Sequence, residues 1–333
     1  MLVYVLGRLV WAAMLLVAVT FVLFVLFFLA PGNQLSLSGS FENEAALQDA
    51  GGQSRLDRDR PLSEYFDFVR ALLRGDLGTS WRTEDDVLWM VGQAAPASAS
   101  LVVGGMLLGL VAAFAVGIRS AMRPRGPVDR VGGMLVLFGI SAHPVWLGLV
   151  LAWLFGFVLG WMPIYGYCDV FRPNESAECG GPVQWAYHLV LPWIVFAAAY
   201  AALYARMLRS GLIEELREDY VTAARARGVG ERAVVRSHAL RNSMLPIVTM
   251  LTMDLGIAFS GTMFIETVFR IPGLGFLVVN AIPRRDLPVL LGVTLVVATV
   301  IILCSLVLDI LYARIDPRIG PPLARRAASA QAR

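Results

Sequence analysis

Six long stretches of the chain carry almost no charge, and this feature restricts its possible folds more than any other. Their apolar centres lie at residues 9–30, 98–118, 131–159, 188–205, 241–266 and 287–308. A helix needs about 20 apolar residues to cross a bilayer. The pattern therefore predicts an all-α membrane protein with six transmembrane helices.

The composition excludes several classes of protein. Only 16% of the residues are charged, whereas soluble domains average about 25%. All 28 basic residues are arginine, so the chain lacks the lysine of a Walker A phosphate loop and of Schiff-base chemistry. Three His and three Cys leave little room for a structural metal site, and we predict none.

The arginines predict an orientation. They are concentrated at 119–130, 206–241 and 314–333, and short cytoplasmic segments are enriched in arginine. We therefore expect both termini in the cytoplasm. The first stretch is longer than the apolar core of a signal peptide, so a membrane anchor is favoured over a cleaved leader.

Two outside loops follow from this orientation. Residues 31–97 form an extracytoplasmic loop with two short helices, one ending near Gly75 and one starting after Thr83, which serve either as scaffold or as a docking rim. Cys168 and Cys179 share the loop after the third span. An oxidising compartment would allow a disulfide there, and free thiols are the alternative.

The inside segment 211–243 has helical periodicity. Ile213, Leu216, Tyr220 and Ala223 repeat at helical spacing, and Gly228 predicts the helix end. A second short helix over 231–241 is expected to lead into the fifth span. The small pair at 223–224 would let another surface approach closely. The pattern alone fits either a partner's groove or a surface of anionic lipid.

Asp254 lies midway along the fifth span, where a carboxylate costs roughly 3 kcal/mol. It is expected either to line a translocation path or to make a structural hydrogen bond. His143 is a possible neighbour, and Ser141, Thr249 and Ser260 would add polar lining. A membrane-embedded enzyme would need more reactive groups than these, and a receptor or scaffold is the third class.

Several motifs, in order along the chain, resemble one family. The segment 219–228 (DYVTAARARG) resembles the EAA loop of ABC importer permeases, and HALRN at 238–242 with LP at 245–246 is similar to the dipeptide/oligopeptide/nickel subfamily. Further similar segments are 29–32, 75–80, 161–167, 266–269 with 272–275, 309–312 and 316–318. Thr222 departs from the general loop, which has Glu there.

The resemblance implies a type I ABC importer permease with a cytoplasmic coupling helix. It divides the chain into 1–30, the loop 31–97, a permease core 98–320 and a disordered tail 321–333. The residues expected to couple to the ATPases are Glu218, Asp219, Tyr220, Ala223, Ala224, Arg225, Arg227 and Gly228.

The resemblance also implies partners and a location. They are a second homologous permease, two ATPase subunits that bind ATP and Mg²⁺, an extracytoplasmic substrate-binding protein and membrane lipid, with no nucleic acid. The location is the bacterial inner membrane. Di- or oligopeptides are the expected substrate, and nickel complexes or other small solutes are alternatives. The chain itself is expected to bind no cofactor and to catalyse no reaction.

Overall fold

A computed structural model describes residues 2–29, 61–170 and 179–315. The predictions for 31–60, for the 316–318 motif and for the tail 321–333 lie outside these residues. The described part is helical and contains no strand beyond one antiparallel bridge between Thr79 and Asp86.

The helices follow one another closely along the chain. They are α1 (Leu2–Leu29), α2 (Pro61–Leu73), α3 (Val87–Met122), α4 (Pro127–Ser141), α5 (Pro144–Leu151, continued by a π-helical turn Ala152–Val158), α6 (Gly181–Glu215), α7 (Asp219–Ala226), α8 (Glu231–Val234, continued by a π-helical turn Val235–Ala239), α9 (Leu240–Phe269), α10 (Leu274–Arg284) and α11 (Leu287–Ile315).

Three helices of the described part are long and apolar enough to cross a membrane: Val87–Met122, Gly181–Glu215 and Leu287–Val307. Two bent pairs, α4 with α5 and the end of α9 with α10, bring the number to five if each pair counts as one span. Helix α1 contains a shorter apolar stretch, Leu9–Val25. A multi-pass helical membrane protein is confirmed, and the number six stays a prediction.

The third predicted span, 131–159, is broken rather than continuous. Helix α4 ends at Ser141 and α5 begins at Pro144. A proline disfavours helical geometry in the residue before it, and His143 is extended, with φ −66° and ψ 134°. The His143 Nδ1 atom accepts a hydrogen bond from the Val145 amide at 3.3 Å, so this residue caps the new helix.

The chain divides into two compact units. One consists of Met1–Gln93 with Leu277–Arg333, and the other of Ala94–Phe276. In the first unit α1 packs against α11, and Tyr65 of α2 lies between the rings of Phe21 and Phe24, at centroid distances of 5.6 and 5.4 Å. Here α2 is therefore held against α1 by aromatic contacts.

The ends of the loop helices in the first unit are well defined. Helix α2 ends at Leu73, near Gly75 as predicted; Gly75 has a φ of +81°, and its amide donates to the Leu72 carbonyl at 2.9 Å. The predicted cap at Thr83 is wrong. Asp86 begins α3 instead, because its Oδ1 atom accepts from the Leu88 amide at 2.7 Å and can thus satisfy a free helix-start donor.

The second unit is centred on α3, α4, α6 and α9. Its core includes Leu101, Leu189, Tyr204 and Leu208, each of which is fully buried. A Cβ atom on Gly105 would lie 2.6 Å from the Phe196 ring. The glycines of the second predicted span therefore allow α3 and α6 to approach closely.

Candidate functional site

The segment expected to couple to an ATPase forms a separate short helix. A single helix from Ile213 to Gly228 was predicted, and this is wrong. Helix α6 ends at Glu215, and Glu218 is extended before α7 starts at Asp219. The break places Val221 against Val234 of α8, where both are fully buried, and this contact outweighs the local helical periodicity.

Helix α7 ends where the sequence predicted. Gly228 has a φ of +81°, and its amide donates to the Arg225 carbonyl at 2.9 Å. The next amide, of Val229, donates to the Ala224 carbonyl at 3.2 Å. This pair of bonds is a Schellman motif, which satisfies the last carbonyls of a helix when the residue after the cap is left-handed.

The two faces of α7 differ. Val221 and Ala224 are buried against α8, so Ala224 lies on the covered side of α7, and its role in coupling stays a prediction. Ala223 is exposed, as are Glu218, Asp219 and Arg227. These four residues, which we call the α7 outer face, combine a small apolar side chain with charges of both signs.

An ion pair and a hydrogen-bond network hold α7 in place. Arg225 donates to both carboxylate oxygens of Glu231, at 2.7 and 3.1 Å. This contact lowers the pKa of Glu231 and raises that of Arg225. Tyr220 donates to Glu215 at the end of α6, and Asn242 donates to the Tyr220 oxygen at 3.1 Å. The pKa of Tyr220 is raised by burial and by Glu215.

Asp254 accepts a hydrogen bond within the core. The Tyr204 hydroxyl donates to its Oδ2 atom at 2.7 Å, and Asp254 is only 8% exposed while Tyr204 is fully buried. The ring of Tyr204 stacks in turn on that of Tyr200, with centroids 6.5 Å apart. The carboxylate is therefore satisfied by the chain's own side chain.

The other residues expected to line a path are distributed over two regions. His143 lies exposed at the break between α4 and α5, with its ring 5.5 Å from that of Phe264, and Ser141 is exposed beside it. Thr249 is exposed on α9. Ser260 lies on α9 as well, and its side chain is outside the described part of the structure.

Cys168 and Cys179 are joined by a disulfide in the structure, with their Cα atoms 5.3 Å apart. Cys168 is fully buried, and its sulfur lies 3.5 Å from the Nδ1 atom of His188. Among the described residues, no group of three or more His, Cys, Asp or Glu side chains is placed to hold a metal ion.

Among the described residues, the most deeply buried acid is Glu266, and sequence reasoning did not predict its burial. Glu266 entered that reasoning only as the end of a stretch with almost no charge and as part of the segment 266–269. It is fully buried, accepts from the Ser98 hydroxyl at 2.6 Å and accepts from the Phe276 amide at 2.9 Å. Ser98 in turn accepts from the Leu274 amide at 2.7 Å. The proline and glycine that follow at 272–273 were the available signal for a helix break here.

The fold and these sites define the class of protein. The described residues include three to five apolar helical spans, and a short polar helix between α6 and α9 leaves one face exposed. The phosphate-binding loop of a nucleotide hydrolase is excluded by the absence of lysine from the sequence. The class is therefore a polytopic helical membrane protein whose sequence contains no Walker A loop.

Comparison with known proteins names the family. Residues 105–321 match the family described as binding-protein-dependent transport system inner membrane component. The chain belongs to this family, which is one of transport subunits and not of enzymes.

Characterised relatives cover nearly the whole chain. It is 36% identical to the di/tripeptide transport system permease protein of Pseudomonas aeruginosa, over 90% of this chain and 94% of the relative. It is 32% identical to the dipeptide transport system permease of Alkalihalophilus pseudofirmus and 34% identical to the glutathione transport system permease of Pectobacterium atrosepticum, in both cases over 96% of this chain and 99% of the relative.

Proposed function

We propose that the chain is a permease subunit of an ATP-driven importer of short peptides. Support comes from relatives whose names specify dipeptides, tripeptides and glutathione, itself a tripeptide, at 32–36% identity over most of the chain. Nickel complexes and other small solutes are alternatives that the transport assay below separates.

The assembly we propose contains partners outside this chain. A second homologous permease completes the translocation path, two ATPase subunits bind ATP and Mg²⁺, and a substrate-binding protein delivers the peptide from outside. The arginines at 119–130 and 206–241 favour placing these segments in the cytoplasm, with six spans and both termini inside.

The α7 outer face is our candidate docking surface for an ATPase subunit. The opposite face of α7 is packed on α8, and Tyr220 and Asn242 tie α7 to the start of α9. A force applied to the outer face would thus reach α6 and α9 through packed and hydrogen-bonded groups. In alternating access, such a rigid connection lets nucleotide binding favour one of two conformations.

For the translocation path, we propose Asp254 as its main polar group, with Ser141, His143, Thr249 and Ser260 as further lining. Asp254→Asn removes the charge and keeps an oxygen that accepts from Tyr204. We expect lower uptake with normal assembly. Normal uptake would assign Asp254 to the alternative, a structural hydrogen bond.

A matched pair of substitutions tests the docking surface. Ala223 lies on the α7 outer face, whereas Ala233 is an equally small, exposed residue on α8. Ala223→Trp is expected to reduce co-purification of the ATPase subunits, and Ala233→Trp is the control that retains it. Equal co-purification in the two variants would contradict this surface.

Transport by the reconstituted complex tests the substrate. Proteoliposomes containing ATP inside and the cognate binding protein outside are offered a labelled dipeptide, a labelled tripeptide or a labelled nickel chelate. ATP-dependent accumulation of the peptides supports the proposal. Accumulation of the nickel chelate alone would replace peptide with metal transport, and no ATP-dependent uptake of any of them would refute an importer of these substrates.

A further inference from the structure

A cavity of about 390 Å³ opens between α3, α4 and α6 at the arginine-rich end of the second unit. Its size is within the range of about 300–1,000 Å³ that small-molecule sites occupy. Neither the coupling segment nor the proposed path residues line it. The cavity therefore needs its own explanation.

The cavity is lined by both apolar and polar residues. Val116, Val136 and Leu137 supply apolar surface, while Ser120, Asp129, Arg206 and Arg209 supply polar groups. A freely soluble anion would gain nothing from the apolar part, and an alkane would leave the polar part unsatisfied. The lining suits an amphiphile.

Of the two arginines that line the cavity, one is paired with an acid and the other is available to bind a ligand. Arg209 donates to both carboxylate oxygens of Asp129, at 2.6 and 3.0 Å, so these two charges compensate each other. Arg206 is exposed, and its guanidinium has no hydrogen-bonding or ionic partner among the described residues. The planar guanidinium can bind two oxygens of a phosphate at once.

Ser120 points to the same ligand. This residue is 3% exposed, and its hydroxyl makes no hydrogen bond to another residue in the described ranges. A Cβ atom built on Gly132 would lie 3.4 Å from the Ser120 oxygen, so the hydroxyl faces α4 across the cavity. Ser120 lines the cavity, so its hydroxyl is available to donate a hydrogen bond to an oxygen of a ligand bound there.

We propose that this cavity binds one anionic phospholipid, with its phosphate on Arg206 and an acyl chain along Val116, Val136 and Leu137. The uncompensated positive charge matches a headgroup with a net charge of −1, such as phosphatidylglycerol, and not a zwitterionic one. Arg119, Arg123, Arg125 and Arg130 add positive potential nearby. Basic pockets between spanning helices on the cytoplasmic side are suited to such headgroups.

Two substitutions separate the headgroup from the chain-binding part. Arg206→Gln removes the free charge. Gly133 lines the cavity, and a Cβ atom there would meet nothing within 4 Å, so we expect Gly133→Leu to occupy space inside the cavity. The controls are Arg232→Gln, an exposed arginine on α8 outside the lining, and Gly92→Leu, a helical glycine with equally open surroundings.

The test is native mass spectrometry of the chain in its intact transporter complex, titrated with phosphatidylglycerol or phosphatidylcholine of matched chains. We expect about fivefold tighter binding of phosphatidylglycerol at the first site, corresponding to about 1 kcal/mol per arginine. Arg206→Gln should abolish this preference, and Gly133→Leu should weaken binding of both lipids. The two controls should bind as the wild type does.

Three results would overturn the inference. The first is an unchanged phosphatidylglycerol preference in Arg206→Gln, or unchanged lipid binding in Gly133→Leu. The second is displacement of the lipid by inorganic phosphate, which would indicate a free-anion site. The third is loss of another subunit from the Gly133→Leu complex with normal lipid binding, which would indicate a protein interface.

Discussion

Replacing Gly228 with alanine isolates the backbone requirement at the end of α7. Gly228 has a φ of +81°, and a Cβ atom there would meet nothing within 4 Å. The only penalty is therefore the left-handed geometry, which costs a residue with a Cβ about 1–2 kcal/mol. A local equilibrium changes about 5- to 30-fold for this free energy.

Hydrogen exchange measures this local equilibrium. The Gly228 and Val229 amides donate to the last carbonyls of α7 and exchange only when the Schellman motif opens. We expect both amides to exchange about 5- to 30-fold faster in Gly228→Ala. Because the α7 outer face moves with this helix, the ratio of peptide transported to ATP hydrolysed should fall as well.

Gly230 provides the matched control. It is two residues away and also has no atom within 4 Å of a built Cβ, but its φ is −63°, which any residue adopts. Gly230→Ala should leave exchange unchanged or slow it slightly, since alanine reduces the freedom of the unfolded chain. Equal exchange in the two alanine variants would refute the argument from geometry.

Three further predictions concern stability. A Cβ atom on Gly292 would lie 2.4 Å from a Val87 methyl. Gly292→Ala should therefore lower the free energy of unfolding by about 1–3 kcal/mol, measured by thermal unfolding in detergent. Adding Val87→Ala to the same chain should recover part of this stability. Glu266→Ala leaves buried donors without an acceptor, which costs about 1–3 kcal/mol of stability for each donor. The melting temperature should therefore fall in Glu266→Ala. It should fall less in Glu266→Gln, because the amide oxygen of glutamine still accepts a hydrogen bond. Arg225 lowers the pKa of Glu231, so the stabilisation by this pair is present above the carboxyl's ordinary pKa and is lost as the pH falls through the lowered value. The protection of the α7 amides, after correction for the pH dependence of intrinsic exchange, should therefore fall in acid, and Glu231→Gln should remove that fall; a wild-type pH profile in this variant would contradict the assignment.

The positions of the helices could be predicted from uncharged stretches, but their breaks could not. The stretch at 131–159 is uniformly apolar, and only Pro144 indicated that a helix begins anew there. The periodicity through Leu216 is helical, yet the chain turns at 216–218 because Val221 gains a buried contact with Val234. Local pattern contains no information about a contact with a later helix, so tertiary packing, and not periodicity, decided the break at 216–218.

The difference between the exposed and the buried side of α7 illustrates the same limit. Ala223 and Ala224 are indistinguishable by residue type, and the sequence suggested that both are open to a partner. The structure exposes Ala223 and buries Ala224 at 1% exposure, because α8 covers one side of α7. The turn at Gly228 determines which side of α7 is covered. The sequence predicted the position of this turn, but it did not predict the direction that the chain takes after it.

Two acids at the edges of apolar stretches in this chain are buried rather than exposed to water. Glu266 and Asp286 each terminate an uncharged stretch, and a sequence argument treats such acids as residues in water. Both are at most 4% exposed. Glu266 accepts from the Phe276 amide after the α9 break, and Asp286 accepts from the Trp81 amide at 3.2 Å. Irregular backbone in an apolar region leaves amide groups that need acceptors. An acid followed by a proline at the edge of an apolar stretch is therefore consistent with a buried helix break as well as with a position exposed to water.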